Sequence, residues 1–131
     1  MKPDDFNIRT PLARVRGLGS ARSGTDHFWR QRLTAVANVP LVISFVVITA
    51  SLLGRNHAAV VQILGSPLVA IIMLLFVVSI TTHMRIGMQV IIEDYLHDDI
   101  PKLICLMANT FFTIAVALAS AYAILKLSFG V

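Results

Sequence analysis

From Leu33 to Gly54 the chain carries no Asp, Glu, Lys or Arg, and the same holds from Asn56 to Met84 and from Leu103 to Leu125. A helix needs about 20 apolar residues to cross roughly 30 Å of hydrocarbon, and each run is long enough. Backbone amides and carbonyls in lipid must be satisfied within their own segment, which leaves the helix as the open-chain solution. The pattern predicts an all-α protein with three transmembrane helices at about 31–54, 66–95 and 100–128. A basic segment, 1–30, precedes them, and 31–131 form one membrane domain.

Local signals sharpen the edges. Phe28 and Trp29 beside Arg30 and Arg32 give the aromatic and basic mixture favoured at a membrane interface. Ser66 followed by Pro67 reads as an N-cap and first helical residue, so the second helix is expected to start there. Asp98 or Asp99 would cap the third, with the acids meeting the positive end of its dipole.

Charge adds orientation. Of eleven Lys and Arg residues, seven (Lys2, Arg9, Arg14, Arg16, Arg22, Arg30 and Arg32) precede the first span, and Arg55 alone marks the first connection. The positive-inside bias then predicts a cytoplasmic N-terminus, an outward loop at Arg55 and His57, an inward loop at Glu93–Lys102 and an outward-facing C-terminus. The arginines between residues 9 and 32 are spread among three glycines and a proline, which reads as a mostly extended inner-face segment and not as a nucleic-acid surface. That segment has no short apolar core followed by a small-residue cleavage site, so a cleaved signal peptide is not expected. Composition agrees with a lipid solvent: 56% of residues are hydrophobic, 14% are charged, and mean hydropathy is +0.79. The single cysteine, Cys105, excludes an intrachain disulfide and a soft-metal cluster held by this chain.

Chemistry concentrates where the second helix leaves the bilayer, in THMRIGMQVIIEDYLHDD, Thr82 to Asp99. At about 100° per residue His83, Gly87, Val90 and Asp94 share a face. That stripe carries a ligand-type imidazole, a residue without a side chain and a carboxylate. Gly87 would admit either a flat macrocycle or a neighbouring helix. His83 reads as an interhelical hydrogen-bonding group or as an axial ligand of a haem. Arg85 reads as a snorkelling anchor or as a partner for a propionate. Tyr95 fits an aromatic belt, and Asp94 a solvated helix end; together with His83, Asp94 would also suit a proton path in a small transporter subunit. No nucleophilic triad, phosphate loop or complete metal site is present, so no catalytic residue is expected in this chain.

The spacing H-x-x-x-G-x-x-x-x-x-x-D-Y of His83, Gly87, Asp94 and Tyr95, on the second of three spans, resembles the D-type hydrophobic membrane anchor of succinate dehydrogenase, respiratory complex II. The stretch GSARSGTDHFWRQRLTAVANVPL resembles that of bacterial, particularly alphaproteobacterial, members. The resemblance covers most of Arg14 to Tyr95, while the third helix matches in length and apolarity alone. It implies a non-catalytic subunit of an oxidoreductase. It would dock flavoprotein and iron–sulfur partners, which hold FAD and the clusters, onto the membrane. With a C-type cytochrome b anchor it would share a haem b and form part of the ubiquinone site. It further implies His83 as one axial ligand, Arg32 near the propionates, Tyr95 as a quinone contact and Asp94 beside it. The Met84–Arg85 pair departs from several relatives, which carry small or aromatic residues there, and leaves Arg85 as a second candidate in the propionate vicinity. A quinol:fumarate reductase anchor is the alternative on the same scaffold.

Overall fold

The structure is a computed structural model that describes residues 10–17 and 24–130. It contains five helices among the described residues: α1 Pro11–Val15, α2 Gly24–Ser51, α3 His57–Leu64, α4 Pro67–Tyr95 and α5 Asp99–Phe129. Three of them, α2, α4 and α5, are long and apolar enough to cross a membrane. The all-α, three-span expectation is met. At 1.5 Å per residue each exceeds about 40 Å and therefore projects beyond the hydrocarbon.

Two differences from the sequence reading have physical causes. The stretch 9–32, expected to be mostly extended, is helical over Pro11–Val15 and from Gly24 onward; its residues 18–23 lie outside the described part. The polar prelude to α2 is thus a helical continuation of the span, with Asp26 in its first turn facing the positive end of the helix dipole. The second difference is α3, an extra short helix in the connection. Asn56 caps it, its side-chain oxygen accepting the Ala59 amide at 2.9 Å, and so satisfies one of the unpaired donors of the first turn.

Downstream, Ser66 holds extended backbone with Pro67 at the first position of α4, although its hydroxyl donates back to the Ile63 carbonyl at 2.8 Å and does not cap the helix. Asp98 takes the N-cap position of α5, also without a side-chain cap bond.

The helix α4 is central. It packs against α2 on one side and α5 on the other, and α2 and α5 do not touch. The seams use small and hydroxyl-bearing residues: Ala70, Ser79 and Thr81 of α4, Asn38 of α2 and Thr113 of α5 are buried. Water gives no drive to bury Leu against Leu in lipid, so helices associate where small side chains let their backbones approach. Thr81 and Thr113 are satisfied locally, donating to the Val77 and Asn109 carbonyls, while Ser79 donates across the seam to the Thr34 carbonyl at 3.4 Å. Higher on the α2–α4 seam Phe45 stacks on Phe76, with ring centroids 4.8 Å apart. Gly65, in the turn before α4, lies where an added Cβ would come within 2.8 Å of the Leu127 carbonyl oxygen of α5; the absent side chain lets the two backbones meet.

Candidate functional site

At the basic end of the α2–α4 seam, Thr34 Oγ1 lies 3.1 Å from His83 Nδ1. The same hydroxyl donates its one hydrogen to the Arg30 carbonyl, at 2.7 Å. With its hydrogen on that carbonyl the oxygen can serve His83 only as an acceptor, an arrangement that suits the tautomer carrying its hydrogen on Nδ1. The Nε2 lone pair of His83 then has no partner among the described residues. A neutral imidazole with one nitrogen anchored and the other free fits an axial ligand, whose second ring nitrogen is normally held by a hydrogen bond. The chain offers one such imidazole at this level: among the described residues no group of three or more His, Cys, Asp or Glu converges on a metal position.

Gly87 sits one turn along α4 from His83, and its neighbour is Gln31 of α2: a Cβ built there would stand 3.5 Å from Gln31 Nε2. That is an ordinary van der Waals distance, so the structure leaves both uses the sequence allowed for this glycine standing. Gln31, Thr34 and Asn38 form a polar stripe on the α4-facing side of α2. The side-chain oxygens of Gln31 and Asn38 are buried there without a hydrogen-bond partner. Attention to charged residues missed this stripe, yet its signal is readable, because polar residues at i, i+3 and i+7 interrupt an otherwise apolar helix.

The arginines occupy other faces. Arg32 is exposed, its guanidinium 4.3 Å from the centroid of the Phe28 ring, and at 100° per residue it points about 160° away from Thr34. Arg85 stands about 200° around α4 from His83. It lines a cavity of about 160 Å³ together with His27, Arg30, Thr82, Ile86 and Gln89. Neither arginine shares the helical face that carries His83, whereas Asp94, about 20° from it, does.

Tyr95 is the last residue of α4 and is 78% exposed. Met84, Met88 and Tyr95 follow one side of the helix. The upper part of that side borders an apolar cavity of about 490 Å³, lined by Met84, Met88, Ile92, Cys105, Asn109 and Phe112 among others. The turn that follows is pinned by Lys102, which donates to the Glu93 carbonyl at 3.2 Å and places a cation at the negative end of α4. Asn109 of α5 donates to the Arg85 carbonyl at 3.0 Å, fixing the two helices at the wall of the cavity.

Known proteins match this chain over 63% to 92% of its length. It is 31% identical over 121 residues to the succinate dehydrogenase hydrophobic membrane anchor subunit of Paracoccus denitrificans, covering 92% of this chain and 93% of that one. It is 30% identical over 91 residues to the subunit of the same name in Rickettsia bellii, 70% and 73% of the two chains. The succinate dehydrogenase membrane anchor subunit of Reclinomonas americana is 28% identical over 86 residues, 63% and 72% of the two. No solved structure gives a significant match. The sequence profile describing the succinate dehydrogenase/fumarate reductase transmembrane subunit matches residues 7–123, and the chain therefore belongs to that family.

Proposed function

We propose that this chain anchors a succinate:ubiquinone oxidoreductase in a bacterial inner membrane with its N-terminus in the cytoplasm. In this reading it co-ligates a haem b with a C-type anchor, forms part of the ubiquinone site and docks the iron–sulfur and flavoprotein subunits. The observation that carries the reading is the Thr34–His83 contact, which holds the imidazole by Nδ1 and leaves Nε2 for iron. A bound haem b supplies one-electron storage between the partner clusters and the quinone. The chain's own residues do the rest. Thr34 fixes the plane and tautomer of His83. Arg32, at the membrane edge on the face of α2 turned away from α4, offers positive charge to a propionate held between this chain and its C-type partner. Tyr95 offers a phenolic O–H to a quinone carbonyl, with the Met84–Met88 side of α4 as an apolar bed above it. Asp94, about 100° from Tyr95, orients neighbouring cationic groups or a proton-carrying water. The names of the relatives favour succinate oxidation, and the family description admits the reverse reaction, fumarate reduction by quinol, on the same scaffold.

The test is purification in mild detergent through a tag on this chain. The expected result is co-purification of a flavoprotein, an iron–sulfur protein and a second hydrophobic subunit, with a b-type reduced-minus-oxidised spectrum. A preparation lacking both flavin and b-type absorbance would reject the reading in favour of a small transporter subunit.

A further inference from the structure

Two cavities border the Arg85 side of α4. The inner one, about 160 Å³, is lined by His27 and Arg30 of α2 and by Thr82, Arg85, Ile86 and Gln89 of α4. The other, about 230 Å³, lies between α4 and α5 and is walled by Val78, Ile114 and Ala117 together with Thr81 and Thr113, whose hydroxyls are committed to backbone carbonyls of their own helices. Thr82 and Arg85 line both, so the two adjoin at these side chains; taken together as one furrow, they run from a basic mouth to a mostly apolar trough nearer the middle of the span. A phospholipid has the same order, a headgroup and then an acyl chain. We propose that this furrow binds an anionic phospholipid of the inner leaflet, its phosphate held by Arg30 and Arg85 and one chain lying along Val78, Ile114 and Ala117.

Charge complementarity selects this occupant. No ion pair is present among the described residues, so no described acid of this chain neutralises either guanidinium. The Thr82 hydroxyl is committed to the Val78 carbonyl at 2.7 Å, which leaves the two guanidiniums, the His27 imidazole and the second amide hydrogen of Gln89 as the donors at the mouth. Guanidinium groups bind phosphate through charge-assisted, often paired hydrogen bonds, and basic clusters at the cytoplasmic surface attract anionic lipid. Glu93, one turn further inward from Gln89, accepts the Gln89 amide at 2.8 Å and does not line the cavity. Because Arg85 stands about 200° from His83, a lipid here would not compete with a ligand of that imidazole. The proposal rests on the spans and their inward basic end and does not depend on His83 binding haem.

The experiment titrates the delipidated, tag-purified complex with phosphatidylglycerol and, separately, with phosphatidylcholine, reading bound lipid by native mass spectrometry. Wild type should retain phosphatidylglycerol at a concentration at least tenfold lower than phosphatidylcholine. Arg30→Gln with Arg85→Gln should abolish that preference, and Arg85→Lys alone, which keeps the charge, should preserve it. Equal retention of the two lipids by wild type, or an unchanged preference in the double variant, would overturn the proposal. So would displacement of phosphatidylglycerol by glycerol 3-phosphate at equal concentration, because the apolar trough would then contribute nothing. A fall in haem midpoint potential in the double variant with lipid preference intact would assign these arginines to propionates and overturn it equally. Loss of haem in His83→Leu with the lipid preference retained would instead strike the functional reading and leave the lipid site standing.

Discussion

The Thr34 hydroxyl spends its hydrogen on its own helix and offers a lone pair to His83, so the two residues should respond differently to substitution. His83→Leu removes the only imidazole on that face, and haem is expected to be lost or to become weakly held and high-spin; an unchanged low-spin spectrum would count against the assignment. Thr34→Val keeps the branched shape and removes the acceptor of Nδ1–H. Haem should remain bound while its midpoint potential rises, since a hydrogen bond that makes the ligand more basic favours the ferric state. Redox titration of the purified complex decides between a rise and no change. At the other end of α4, Tyr95→Phe keeps the ring and removes one positioned donor, an effect of about 1–3 kcal/mol. Quinone reduction should fall by about tenfold or more, while succinate oxidation by a soluble acceptor that draws electrons upstream persists. Equal quinone reductase rates at matched assembly and haem content would move the pocket elsewhere.

At the scale of elements, the bundle is held by close approaches between helix backbones more than by large interdigitating side chains. Gly65 is the sharpest case: an added Cβ would meet two carbonyl oxygens, Leu127 O at 2.8 Å and Val61 O at 2.9 Å, and backbone does not yield as a flexible side chain does. Gly65→Ala should therefore part the α3–α4 turn from the end of α5 and cost about 1–3 kcal/mol. A lowered midpoint of thermal unfolding in detergent is the expected readout, with an unchanged midpoint contradicting it. Gly87→Ala meets only the side-chain amide of Gln31 at 3.5 Å, an ordinary contact, and gives the matched control for a glycine with room to spare.

For the whole molecule, the large apolar side chains that remain exposed, from Leu33 and Ile43 through Leu75 to Phe111 and Leu118, mark surfaces for lipid and for partner subunits. In this flat arrangement α4 alone touches both other spans, and α2 and α5 keep most of their circumference for other contacts. The proposed orientation has a direct test at this scale. A cysteine at position 57, introduced as His57→Cys with Cys105→Ala, should react in intact cells with a membrane-impermeant thiol reagent, whereas one introduced as His97→Cys should react only after permeabilisation. The opposite pattern would invert the topology. Three spans were legible in the sequence because apolarity over about 20 residues is dictated by the solvent, a property each segment carries by itself. The start of α4 was legible for a similar reason: Pro67 needs no amide partner at the first helical position, whatever lies nearby. Tertiary structure decided the rest. A span that is apolar all round does not declare which face meets its neighbour, so rotation and axial register of α2 against α4 brought Thr34 to His83, drew Arg30 and Arg85 into one cavity and set Arg32 apart. The short α3 was hidden in the same way. Its residues are as apolar as the span that follows, and it is the turn at Gly65, seated against the end of α5, that divides them into two helices.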